Sequence, residues 1–243
     1  MNLNKLILTE NECYKIGTPI VPAGIIVHST GANNPNLKRY LPDDGKIGVN
    51  KYGNHWNQFR PDGRQICCHA FIGKLADGTL ATYQTLPWTI QGWHSGFGSL
   101  IESRRFGYAT NSANRLGFIG FEICEDDTND PEYARACFDE AVDLCVYLCK
   151  EYDLDPMKDI LSHKEGHRVG IASNHGDPNH WWDKHGLTMD NFRAKVKEGL
   201  TPESQQPKKY YRVQLGAFSS KSNAEAFLKE VKKNYPNAFI KFS

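Results

Sequence analysis

The stretch from Leu116 to Tyr152 sets the strongest limit on what this chain can fold into. "LGFIGFEIC" (Leu116–Cys124) is apolar, β-branched and aromatic almost throughout, the pattern of a buried strand. Asp130-Pro131 then supplies a helix N-cap followed by proline at the first helical position. Tyr133, Cys137, Ala141, Cys145, Leu148, Cys149 and Tyr152 recur at helical spacing. Elsewhere "AGIIVHST" (Ala23–Thr30) reads as a second buried strand. "ICCHAFIGK" and "TLATYQTL" flank the turn signal Ala76-Asp77-Gly78 and read as a hairpin. A final helix is predicted from Met189 to Glu198. Strands mixed with helices imply a sheet with helices packed on it, an α/β or α+β fold.

Long Gly-, Asn- and Pro-rich stretches, 33–64 and 87–114, interrupt these elements; in a compact domain such loops shape a binding site. A third, "SHKEGHRVGIASNHGDPNHWW" (Ser162–Trp182), also reads as a loop. It holds His163, His167, His175 and His180, four of the chain's nine histidines.

The formal net charge of +1 gives no electrostatic case for nucleic acid or an anionic membrane as a partner. No apolar run approaches the roughly 20 residues that cross a bilayer. The start, "MNLNKLILTENECYKIG", lacks the apolar core and small-residue cleavage site of a secretory signal, so synthesis in the cytoplasm without export is expected. Seven cysteines include no C-x-x-C pair, which argues against a cysteine zinc knuckle. Cys137, Cys145 and Cys149 share one side of the predicted helix and read as small, reduced core residues.

"GLTPESQQPKK" (199–209) has the composition of an extended linker between a main domain, 1–198, and a tail, 210–243. In the tail Tyr211, Val213 and Leu215 alternate as a strand. Ser222-x-x-Glu225 is a capping box, and Ala224, Phe227, Leu228 and Val231 form a helical apolar stripe. "NAFIKFS" completes a small C-terminal β-α-β unit.

Catalytic zinc takes three protein ligands and leaves the fourth position open. His28 ends the strand "GIIVH", His163 ends the short apolar run "DILSH", and Asp177 precedes a proline in the long loop. Two histidines and a carboxylate are a common hydrolytic zinc set. Glu122 is a lone carboxylate in an apolar strand, where burial raises its pKa toward that of a general base; the competing reading is an outward-facing polar residue in an alternating strand.

Taken in order, "IIVHST", "HAFIG…DGTL", "WHSG", "IGFEI" and "SHKEGHR…HGDP" resemble the zinc-dependent N-acetylmuramoyl-L-alanine amidases of type 2, relatives of phage lysozyme-type amidases and of peptidoglycan recognition proteins. The resemblance spans about residues 20 to 182. It implies a mixed central sheet flanked by helices, with a zinc cleft at one sheet face. The implied reaction is hydrolysis of the amide joining the muramic acid lactyl group to L-alanine. It further implies His28, His163 and Asp177 as zinc ligands and Glu122 as the catalytic glutamate. His175 falls where the family often carries an oxyanion-stabilising lysine. His69, Trp93 and His94 match positions lining the groove for glycan and stem peptide, and the two tryptophans of the third loop, Trp181 and Trp182, are expected to brace its wall. The loop from His163 to Asp177 is longer than the family's usual spacing, which leaves His175 open as an alternative third ligand.

The tail resembles one half of a sporulation-related (SPOR) repeat, a peptidoglycan-binding module. A homodimer through residues 210–243 is one way to complete it. The leading expectation is therefore a phage or prophage endolysin that reaches the wall through a membrane lesion. A cytoplasmic muropeptide-recycling amidase and a non-catalytic peptidoglycan recognition module are the alternatives.

Overall fold

A computed structural model describes residues 1–127, 130–201, 215–236 and 238–240. The chain divides into two compact units, Met1–Ser204 and Gln205–Ser243.

The first unit runs β1 (Leu3–Lys5), α1 (Glu12–Ile16), β2 (Gly24–Ser29), β3 (Ala70–Lys74), β4 (Leu80–Gln84), α2 (Leu100–Arg105), β5 (Phe118–Ile123), α3 (Pro131–Tyr152), α4 (Pro156–Asp159), β6 (Ile160–Ser162), α5 (His163–Arg168), α6 (Asn179–Trp182) and α7 (Met189–Leu200). The strands form one mixed sheet in the order β1-β4-β3-β5-β2-β6. Only the expected β3–β4 hairpin pairs antiparallel; β1–β4, β3–β5, β5–β2 and β2–β6 are parallel.

The period of two along a strand sorts these side chains into two cores. Ile25 and Val27 of β2, Ala70 and Ile72 of β3, and Ile119, Phe121 and Ile123 of β5 face α3, which buries Cys137, Phe138, Ala141, Cys145 and Leu148 against them. Asp130 caps α3 by accepting from the backbone N–H groups of Glu132 and Tyr133, with Pro131 at the first helical position. The opposite face carries Ile26, His28, Phe118, Gly120 and Glu122, and α3 does not cover it. All seven cysteines are free and buried.

Three expectations change. Ser162–Trp182 is not a loop: it contains α5 and α6, and Ser162 with Glu165 forms a reciprocal capping box that starts α5 at His163. Trp181 and Trp182 are fully buried, packed on Tyr133, Phe138 and Phe192 rather than on a cleft wall. α7 extends to Leu200, into the segment read as linker, because Met189, Phe192 and Val196 bury its apolar stripe in the α3 core.

In the second unit α8 (Lys221–Val231) matches the predicted helical stripe, but it begins after Ser220, so Ser222 lies inside it rather than capping it. Leu215 and residues 238–240 form no strand. The remainder of the two expected tail strands, 211–214, 237 and 241–243, lies outside the described residues.

Candidate metal centre

Sheet register brings His28 and Glu122 side by side on adjacent parallel strands, both on the face away from α3. His163 arrives from the neighbouring edge, where β6 ends and α5 begins. Its placement is braced twice. Glu165 accepts from the Ser162 backbone N–H, and the same carboxylate receives two bonds from the buried guanidinium of Arg193 on α7, at 2.9 and 3.1 Å. α7 is thus part of the scaffold that aims a site residue. Asp177 returns to the same point after the chain leaves α5, its carboxylate accepting from the backbone N–H of Ser29.

His28, His163 and Asp177 are all buried, and each offers one ligand atom within 4.8 Å of the others. His28 Nδ1 lies 2.9 Å from His163 Nδ1 and 3.1 Å from Asp177 Oδ2; His163 Nδ1 lies 3.4 Å from Asp177 Oδ1. Burial pushes the His28 pKa down to about 4, with Asp177 partly opposing that shift. Burial pushes Asp177 up, but the His163 and His28 rings beside it outweigh that and hold the carboxyl well below the usual range. A neutral imidazole and an ionised carboxylate are the forms that bind metal. Acceptor atoms gathered this closely in a buried site are satisfied together by a cation. The group fits a three-ligand divalent metal site.

Glu122 completes the arrangement. Its Oε2 is buried and has no hydrogen-bond partner. Burial, then the nearby Asp177 and Glu125 carboxylates, push its pKa well above the ordinary value. The outward-facing reading of this residue is excluded by that burial. His175 is exposed beside the site, its ring centroid 4.6 Å from that of His163 and its Nδ1 3.0 Å from Ser173 Oγ. It is not one of the three clustered donors.

Of the expected groove residues, Trp93 lines an open cleft of about 440 Å³ together with Arg64, Ile66, His94 and Ser173. His94 borders this cleft, but both its ring nitrogens are engaged within the protein, with His28 Nε2 at 3.0 Å and the Phe118 carbonyl at 3.2 Å. It touches a metal-site histidine rather than offering a free donor to substrate. His69 corrects more sharply. It is fully buried, its Nε2 donating to the Ile90 carbonyl and its Nδ1 accepting from the Gly120 N–H, so both ring nitrogens are spent tying β5 to the 87–90 segment inside the core. Ser173, which accepts from His163 Nε2 at 3.3 Å, was not anticipated.

Compared with known proteins, residues 17–180 match the family model described as N-acetylmuramoyl-L-alanine amidase. This chain belongs to that family. The amidase shares its fold with the PlyG catalytic domain (17% identity, TM-score 0.50, covering 86% of this chain and 100% of that one). The XlyA catalytic domain is similar at 21% identity and a TM-score of 0.50, covering 81% and 99%. Staphylococcus aureus hydrolase AmiA, solved with its ligand, is similar at 18% identity and 0.50, covering 82% of each chain. No curated protein matches the chain. Residues 187–242 match a SPOR domain, the peptidoglycan-binding module; the first part of that match runs through α7, which packs in the amidase core. The amidase cleaves the bond between the muramic acid lactyl group and L-alanine in peptidoglycan. No described helix is long and apolar enough to cross a membrane.

Proposed function

We propose that the amidase is zinc-dependent, held by His28, His163 and Asp177, and that it works on the cell wall as a phage or prophage endolysin. The observation that carries the zinc reading is the buried two-imidazole, one-carboxylate cluster beside the partnerless Oε2 of Glu122. Two nitrogens and a carboxylate oxygen suit zinc, and three ligands leave a position for chemistry. When bound, zinc supplies Lewis acidity and lowers the pKa of water to about 7. Glu122 Oε2 takes the proton of the attacking water and delivers it to the leaving L-alanine nitrogen; its raised pKa suits both transfers. His175, at the exposed rim, donates to the carbonyl oxygen as charge builds there. Trp93 supplies a wall of the cleft that takes the glycan and stem peptide. An amidase and a SPOR region in one chain favour action on the intact wall over recycling of soluble fragments.

The test is digestion of purified cell walls by metal-analysed protein. New N-terminal alanine without new reducing ends is expected, about one zinc per chain should be present, and chelation should abolish cleavage until zinc is restored. Full activity in verified metal-free protein overturns the zinc reading. Asp177→Ala should lose zinc and His175→Ala should keep it; the reverse makes His175 the third ligand.

A further inference from the structure

We propose that His94 is a positioning residue for the metal: an imidazole that fixes the tautomer and ring orientation of His28. The inference rests on the metal reading above, and its chain of hydrogen bonds can be followed atom by atom. The Phe118 carbonyl can only accept, so His94 Nε2, 3.2 Å away, carries the proton. In the neutral ring this leaves His94 Nδ1 bare. Nδ1 is therefore an acceptor, its single lone pair shared between Ser95 Oγ at 2.8 Å and His28 Nε2 at 3.0 Å. That bond places the His28 proton on Nε2 and leaves Nδ1 bare, and Nδ1 is the atom that lies 2.9 Å from His163 Nδ1 and 3.1 Å from Asp177 Oδ2. A backbone carbonyl on β5 thus determines, through two rings, which nitrogen of His28 faces the metal.

Metal-binding histidines usually donate their second N–H to a carboxylate, carbonyl or water. Here the acceptor is another histidine, and the fold is built around it. A Cβ on Gly120 would lie 2.3 Å from His94 Nδ1 and 2.5 Å from Cγ, so only glycine at this point of β5 admits the ring. The His94 backbone N–H is in turn held by Asn114 Oδ1 at 3.0 Å. The two rings meet edge to face, with centroids 5.0 Å apart and planes at 73°. A groove residue gripped at both nitrogens and at its main chain serves the ligand behind it.

Asn and Gln substitutions separate this role from space filling. Asn Oδ1 occupies the place of Nδ1 and can still accept from His28, whereas Gln Nε2 occupies the place of Nε2 and preserves only the Phe118 bond. In the full-length chain, zinc affinity is measured by chelator competition, and the His28 tautomer by ¹⁵N shifts of the metal-free protein. His94→Ala and His94→Gln should weaken zinc binding by about 10–100-fold, the usual effect of losing a ligand's outer partner. His94→Asn should stay within about fivefold of wild type, on the same scale. The metal-free wild type should show His28 protonated at Nε2, and His94→Ala should show a mixture. Equal zinc affinity in Asn, Gln and Ala variants, or an Nδ1-protonated His28 in the wild type, overturns the proposal. A wild type that binds no zinc refutes the metal reading, and the tautomer measurement then still decides the role of His94.

Discussion

Replacing Glu122 by Gln should move activity and stability in opposite directions. The side chain keeps its shape, but the proton acceptor at Oε2 is lost, and removal of a general base costs about 10²–10⁴-fold in rate. Zinc content should be unchanged, because Glu122 is not among the three clustered donors. The stability effect follows from the same atom. Oε2 is buried without a partner, and an unsatisfied buried polar group costs about 1–3 kcal/mol, more when charged. Because the folded pKa lies above the unfolded one, the unfolded chain releases the proton first as pH rises. The part of that penalty that comes from charge, which glutamine never carries, is therefore absent below the unfolded value and grows as pH climbs toward the folded value. In chelator-treated protein, Glu122→Gln should match wild type near pH 4 and exceed it by about 1 kcal/mol or more at pH 8, on the scale of that penalty. For a domain of this size that is a rise of about 2–4 °C in melting temperature per kcal/mol. Wall-digestion rates, zinc analysis and calorimetry at the two pH values suffice. A variant that keeps more than about a tenth of wild-type activity with zinc bound returns Glu122 to a structural role. Equal melting temperatures at pH 8 would show that the carboxylate carries no burial penalty.

Three further outcomes are expected. His175→Ala should retain zinc while turnover falls by about 10²–10³-fold, the cost of losing one oxyanion donor; unchanged turnover removes His175 from the mechanism. A chain ending at residue 186, where the SPOR match is about to begin, should fail to fold. It discards the buried Met189, Phe192 and Val196, at about 1.5–3 kcal/mol each against a total stability of 5–15, while a chain ending at residue 204 should fold and cleave. Cooperative unfolding of the shorter chain refutes the assignment of α7 to the catalytic scaffold. The homodimer proposed through residues 210–243 should appear in light scattering of the full chain and vanish from the chain ending at 204; a monomeric full chain rules it out.

The sequence by itself carried whatever depends on local periodicity. β2, β5, the β3–β4 hairpin and α3 were legible because period two, period 3.6, a turn signal and an Asp-Pro cap are all local. His28, His163 and Glu122 stood out as polar residues at the end or middle of apolar strands. The capping box Ser162–Glu165 was equally local, yet the histidines, glycines and asparagines around it masked α5. Gly120, a lone glycine inside a buried strand, was a readable sign of close approach, but nothing in the sequence named the ring that approaches it. Only the tertiary structure decided the roles of the remaining histidines. His69 and His94 occupy comparable positions in their motifs, and they differ because one ring is sealed between Ile90 and Gly120 while the other meets His28, 66 residues away in the chain. Trp181 and Trp182 went to the core for the same reason. A side chain's role follows from which atoms surround it, and strands brought together from distant parts of the chain supply those atoms.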